Sequence, residues 1–578
     1  MKRKRMLCWP LAMGVMAAFF AVAFLWLGPY YAANDDAGIM RPFLGYETGE
    51  PIHFHIYLHG LLAWPLYAFS RLWPGVAWYS WLQLALLFVS GSVCIKGIAQ
   101  CFLKHGRPMW QGAVAALAFG AAFVLPWIVR VTFTQTAALL AASAVLQTLC
   151  IDYENAAQGE VIRGLCGALA LVALAYALRQ IVLLPALAFC GVAFAYVLGR
   201  YYGLGKRKRR GARPLFIFLL IAAVALGGLL GWREWEIRAN GAQDYLAWQA
   251  ATEPLMDRYG FAGIPQEEFD KVGWSPNTAA LVGSQWFFLD ESISTEAFEQ
   301  LNRYVATTPM ASMQSWLSNA AEIVTCFPRD NPGFVPQLWL LLALLAACAL
   351  GAALSARGKR GWLGFALAGM VLLAAALLAY LAVCKGRMPL RAALQALLPL
   401  AAALAALLPA CLEGRGARAL SYAALAALVC LSGWYVCTAL PGFHYEWTHP
   451  QENAASVDDL YSYALGEEDM FIIHDLTLAG GMDLFPDFSE GVPHNVSLWG
   501  GWGLRSAYSV RQFANYGIDL LHFDPATFLR EDVLFACGVV DPPPNQLLSY
   551  LREKVDPNVD YMIYGENGFA YFFQFYIP

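Results

Sequence analysis

Apolar runs of about 20 residues recur along almost the whole chain, and the hydrocarbon core of a bilayer demands a helix of about that length. Read by apolar length and by the Gly, Pro and charged residues between them, the runs lie at about 6–30, 76–98, 111–129, 134–151, 163–178, 181–199, 214–232, 336–355, 361–383, 393–411 and 418–437. The chain therefore reads as a mainly α, polytopic transmembrane helical bundle of about 11 spans. Charged residues make up 14% and hydrophobic residues 59% of the 578; soluble domains carry about 25% charged residues, so a disordered chain and an all-soluble enzyme are both excluded. The thirteen Cys fall mostly inside apolar runs with no CxxC, and read as small buried hydrophobes.

Basic residues set the orientation. Lys2, Arg3, Lys4 and Arg5 precede the first run, which is too long for a signal peptide and reads as an uncleaved helix. Lys96, Lys104 and Arg107, then Arg200 with the KRKRR stretch and Arg213, then Arg357, Lys359 and Arg360, then Arg415 and Arg418, all fall on the same side of the expected bundle. Cytoplasmic loops accumulate Lys and Arg, so the N-terminus is expected inside and the C-terminus outside a cell membrane. One loop, IDYENAAQGEVIR, is acidic where that rule asks for a basic one. KRKRR reads as a topology determinant; with a net charge of −4, no nucleic-acid partner is expected.

This divides the chain into an N-terminal transmembrane core (1–232) with a first outer loop (31–60), an outer amphipathic-helical loop (233–335), C-terminal transmembrane helices (336–440) and a small outer α/β domain (441–578). In the long loop, Pro265 with Glu267 and Glu268, and Ser294 with Ala297, read as helix starts. Asp290 and Glu291 read as a solvated helix boundary. In the tail, MFIIHDL and VLFACGVV read as strands, YMIYGENGFAYFFQFYI as a hairpin and NQLLSYLREKV as a helix. LWGGWGLRSAYS reads as a turn or a sugar-stacking surface, with no strand plainly leading into it. His474, Asp475 and His494 are weak metal-ligand candidates.

The first outer segment is YYAANDDAGIMRPFLGYETGEPIHFHIYLHG. Either Asn34 or Asp35 caps a helix starting at Ala37, or the Asp35/Asp36 pair carries chemistry. A carboxylate there can take the proton from an acceptor hydroxyl, or hold a divalent cation that screens a phosphate. His55 and His59 would share one helix face at i, i+4; with His53 they would hydrogen-bond substrate or backbone, or complete a mixed His/carboxylate cation site with an Asp. No cofactor is otherwise implied. Residues 56–75, rich in Trp and Tyr, read as an interface-lying helix.

A first helix followed at once by NDDAGIMRPFLGYETGEP, then LWPGVAWYSW, many further helices and an outer C-terminal domain resembles the GT-C superfamily. The resemblance is architectural over most of the chain and at motif level over about 31–81. It implies transfer of a sugar from a polyprenyl-phosphate-type donor at the outer membrane face, with Asp35 or Asp36 as general base.

A lipid-phosphate donor needs cations at the outer helix ends, and the Arg fork pairs well with phosphate oxygens. Arg179 interrupts an apolar stretch, either as a turn charge or lining a cavity; Gln180 beside it can bind sugar hydroxyls. Arg130 sits among Thr132, Thr134, Gln135 and Thr136, in a polar hairpin or a substrate rim. Lys385, Arg387 and Arg391 form an outer basic cluster, for phosphate or for lipid headgroups. The leading expectation is an inverting glycosyltransferase: Asp35 or Asp36 as base, Arg179 with Arg387 or Arg391 on the donor, and His53 and His55 at the acceptor. Its partners are a lipid-linked sugar donor and membrane lipids. The alternatives are a transporter or flippase for lipid-linked glycans, and a non-catalytic scaffold with an outer binding domain.

Overall fold

A computed structural model describes residues 7–46, 48–202, 213–287, 289–354, 357–413, 417–448, 452–478, 483–486, 491–538 and 543–578. Ten helices are long and apolar enough to cross a membrane: Cys8–Leu27, Trp78–Lys104, Phe133–Cys150, Gln158–Leu178, Gln180–Tyr201, Arg213–Ala239, Pro332–Leu354, Gly361–Cys384, Leu390–Cys411 and Ala419–Tyr445. An eleventh apolar helix, Met109–Phe123, is shorter and continues after a break at Val124 as Leu125–Val129. Pro126 near the start of that second piece explains the break, because its ring clashes with the preceding turn. The molecule is thus a polytopic helical bundle of about the expected span number. Phe133–Cys150 and Leu390–Cys411 are its buried centre, and Arg213–Ala239 keeps most of its surface exposed. The KRKRR stretch lies outside the described residues.

By chain order, successive helices alternate direction, so one face of the bundle carries the first loop, the segment after Ala239 and the C-terminal domain; it is called the domain face below. The first helix ends in a π turn at Ala23–Leu27, followed by Gly28 at φ 61°, a left-handed conformation that glycine adopts without a Cβ clash. The chain then extends as β1 (Tyr30–Tyr31), which pairs in parallel with β2 (Arg130–Val131), just ahead of the Phe133–Cys150 helix. This short ladder delivers the next helix, Asn34–Leu44, to the top of the bundle. An amphipathic helix, Gly60–Leu72, follows and exposes Trp64, Phe69 and Leu72, as an interface-lying helix should.

Between Ala239 and Pro332 the chain forms helices that include Gln243–Pro254, Pro276–Gly283 and Thr295–Ala306. Ser294 caps the last of these by accepting from the Ala297 N–H at 3.2 Å. The tail carries a five-stranded sheet ordered β4 (Val496–Leu498), β3 (Phe471–His474), β5 (Val533–Cys537), β7 (Ala570–Tyr576), β6 (Asp560–Asn567), parallel through β4–β3–β5 and antiparallel at β7 and β6. β4 does lead into LWGGWGLRSAYS, contrary to expectation; its three residues are too short for the alternation that reveals a strand. Trp499 is fully buried against Phe513, Phe523 and Phe528, and Trp502 packs on Trp248 and Phe287. Trp499 is core, and Trp502 is partly buried against that core rather than forming a free sugar-stacking surface.

The tail and the 240–331 helices share one apolar core, which includes Trp248, Trp274, Phe287, Phe298, Trp499, Phe535 and Phe573. Asp290 joins them: Tyr550 donates to it at 2.8 Å and Lys554 pairs with it at 3.4 Å. The expected solvated boundary is therefore a half-buried junction.

Candidate functional site at the domain face

The helix carrying the acidic pair starts at Asn34, with Ala33 in the N-cap position. Neither Asn34 nor Asp35 is the cap; both acids lie in the first turn, where the helix dipole favours negative charge. Consecutive helical residues point about 100° apart, and here that separates the pair. Asp36 is fully buried and Asp35 half-exposed.

Three donors converge on Asp36 Oδ1: the Phe133 N–H at 2.8 Å, the Tyr79 hydroxyl at 2.9 Å and the Gln83 amide at 3.1 Å. Oδ2 is buried and takes no hydrogen bond. Burial dominates the balance and pushes the Asp36 carboxyl up to about 8; the Phe133 and Tyr79 hydrogen bonds oppose it and the neighbouring Asp35 charge adds to it. Asp36 is thus a protonated tie between the first-loop helix and two spans. Above it, the Ser80 hydroxyl donates to the Leu484 carbonyl and pairs with Tyr31 at 2.8 Å, while Phe485 packs on Trp81 and Phe24. The C-terminal domain thereby covers this corner.

Asp35 faces the other way. Its Oδ2 takes a 2.7 Å hydrogen bond from Arg391 Nη1, at the start of the Leu390–Cys411 helix. Arg179, where the Gln158–Leu178 helix ends, stands within electrostatic reach of Asp35, Asp36 and Arg391. Its guanidinium lies over the Phe133 ring at 4.7 Å and near Tyr57 at 5.8 Å. Arg179 Nε is buried, and no described residue accepts a hydrogen bond from this side chain or pairs with it as a salt bridge. The adjacent Asp35 and Asp36, with Arg179 and Arg391 from distant parts of the chain, therefore assemble at one corner.

Gln180 does not face that corner freely. With its amide turned to satisfy both partners, its oxygen accepts from Arg233 Nε at 2.8 Å and Nη2 at 2.9 Å. Arg233 is buried and also donates to the carbonyls of Leu58 at 3.2 Å and Ile56, while Glu236, 3.6 Å away, accepts the Gly60 N–H at 3.1 Å. This Arg–Glu pair clamps residues 55–60. A charged pair at i, i+3 ending an apolar run was its sequence signal, as was Tyr79–Gln83 at i, i+4 inside a span.

The histidines are dispersed. His55 is buried and stacked on Tyr508; burial, reinforced by Arg233, lowers it to about 3. His59 is the N-cap of Gly60–Leu72: its Nδ1 accepts from Leu61 N–H at 2.9 Å, so Nε2 donates to the Leu229 carbonyl at 3.0 Å. The two do not share a helix face, because residue 59 precedes the helix. His53 packs on Trp64 at 4.9 Å. Among the described residues no three His, Cys, Asp or Glu are gathered to hold a metal ion, and His474, buried at the end of β3, bonds the Asp475 carbonyl instead.

Arg130 lies exposed in β2, 5.9 Å from the Phe443 ring. Lys385 pairs with Glu253 and Arg387 with Asp257, each at 2.5 Å. The basic cluster that runs against the positive-inside trend thus anchors the 240–331 helices to the bundle, and Arg391 is the member that reaches the acidic pair.

No family model and no curated protein matches the chain. Among solved structures, it is similar to the crystal structure of ArnT from Cupriavidus metallidurans bound to undecaprenyl phosphate, at 14% identity over 97% of both chains with a TM-score of 0.36.

Proposed function

We propose that the protein is a membrane-embedded glycosyltransferase that takes its sugar from a lipid-phosphate-linked donor at the outer membrane face, with Asp35 as general base. One observation carries this: a half-exposed carboxylate, Asp35, stands beside a guanidinium, Arg179, that no described residue occupies. Leaving a buried donor unsatisfied is costly, and Arg179 Nε is such a donor, so an anionic ligand at Arg179 would relieve that cost. A phosphate at a helix end, level with lipid headgroups, is such a ligand. The orientation follows from the basic residues on the opposite face.

In this reading the acceptor hydroxyl oxygen attacks the anomeric carbon while its proton passes to Asp35. The bond from that carbon to the phosphate oxygen breaks, and the lipid phosphate leaves with its charge on Arg179. Arg391 holds Asp35 in place and is near enough to share the phosphate. A single displacement of this kind inverts the anomeric centre. Asp36 is a positioning residue, since it is buried and protonated. His55 supports the loop, and His53, Arg130 and Arg387 lie peripheral to the chemistry.

The test is release of lipid phosphate by the purified full chain in nanodiscs, supplied with a panel of polyprenyl-phosphate sugars and lipid-linked glycan acceptors. Asp35→Asn is expected to cut release by about 10²–10⁴-fold, the usual worth of a general base, with the melting temperature unchanged. Arg179→Gln is expected to abolish retention of polyprenyl phosphate in native mass spectrometry. Wild-type release by Asp35→Asn would sink the proposal.

A further inference from the structure

On the domain face, beside the 55–60 clamp, lies an open cavity of about 100 Å³ lined by His53, Phe54, Trp64, Trp235, Glu236, Ala239 and Asn240. Neither Asp35 nor Arg179 lines it. Two lining indoles remain open: Trp64 is 41% and Trp235 59% exposed. They come from different elements, the Gly60–Leu72 helix and the end of the Arg213–Ala239 helix. The His53 ring, held 4.9 Å from Trp64, makes only ring contacts among the described residues.

At the cavity wall stands Glu236, only 3% exposed. Its Oε2 is committed to the Gly60 N–H and the Arg233 charge. No described residue donates to Oε1. Asn240 uses its Nδ2 on the Glu236 carbonyl, at 2.8 Å, which leaves its amide oxygen to accept. A belt of interfacial Trp is ordinary at this depth, but it does not call for a carboxylate oxygen, an amide and an imidazole on the same wall. Flat aromatic faces with a few placed polar groups suit a ligand that has apolar C–H faces and hydroxyl edges.

We propose that this cavity is a saccharide-binding site that seats a pyranose ring of a membrane-borne glycan. Its C–H face lies on Trp235 or Trp64, and its hydroxyls donate to Glu236 Oε1 and to the Asn240 amide oxygen. The inference rests on the glycosyltransferase reading only for the role of the ligand, which is the acceptor glycan. Glu236 pairs with Arg233, which holds Gln180, the chain neighbour of Arg179, so the cavity and the proposed donor site lie on the same face of the bundle.

The test is saturation-transfer difference NMR on the full chain in nanodiscs, with a panel of methyl pyranosides as probes. At least one pyranoside is expected to receive saturation on its ring protons, and the effect to fall at least fivefold in Trp235→Ala and in Asn240→Ala. Both residues are accessible enough to be replaced without disturbing the fold, and an unchanged melting temperature checks this. Trp235→Phe is expected to retain part of the effect. Asp35→Asn is expected to bind the pyranoside as wild type does, so loss of transfer and loss of this site are told apart. No saturation of any pyranoside in the wild type, or saturation indifferent to Trp235→Ala and Asn240→Ala, overturns the proposal.

Discussion

Asp36→Asn tests whether Asp36 is a buried structural acid. In the folded protein the Asp36 carboxyl titrates at about 8 against an ordinary value of 3.8. A folded-state value raised above the unfolded one means that the native state binds the proton more tightly. Stability is then full below about pH 4 and declines as pH rises, until Asp36 ionises near 8. Each unit is worth 1.36 kcal/mol, so the decline sums to about 6 kcal/mol at pH 9, and about 4 kcal/mol is already lost at pH 7. Asn keeps an oxygen for the three donors at Oδ1 and places its NH₂ where Oδ2 takes no hydrogen bond. It removes the titration and retains the tie. Thermal unfolding of the full chain in nanodiscs, followed by near-ultraviolet circular dichroism at pH 5, 7 and 9, measures this. The melting temperature of wild type minus that of Asp36→Asn should drop steadily from pH 5 to pH 9. A difference that stays flat with pH would refute the assignment of Asp36 as a buried, protonated tie, and so would a variant already unfolded at pH 5.

Arg233→Met should destabilise by about 3–5 kcal/mol, since it strands the Glu236 carboxylate in a buried setting and frees the carbonyls of Ile56 and Leu58; limited proteolysis should then cut within 53–60, which wild type protects. Asp290→Asn should weaken the junction between the 240–331 helices and the C-terminal domain. Burial works against the ionised form of Asp290, but hydrogen bonds from Ser292 and Tyr550 and the Lys554 charge hold it below the ordinary carboxylate range. Its contribution is therefore present above about pH 4 and lost as pH falls through the folded value. The variant and wild type should differ in melting temperature by a few degrees at pH 7 and converge near pH 3, as differential scanning fluorimetry can check.

The bundle was legible in the sequence because lipid imposes a local rule. Every span must be about 20 apolar residues long wherever its neighbours lie, and such runs can be counted without knowing the packing. The strands β3, β5, β6 and β7 were legible for a similar reason, since burial period and turn residues are local. What the sequence left open were choices between neighbours in space. Asp35 and Asp36 are adjacent and chemically identical; only the docking of their helix against Tyr79, Gln83 and Phe133 buries one and leaves the other beside Arg391. Arg387 and Lys385 look like phosphate ligands until Asp257 and Glu253, about 130 residues earlier, are brought against them. Gln180 looks like a sugar-binding amide until Arg233 reaches it. A charge's environment is set by groups distant in the chain, so the sequence fixes which chemistry is available and tertiary packing decides which copy of it is exposed, paired or neutral.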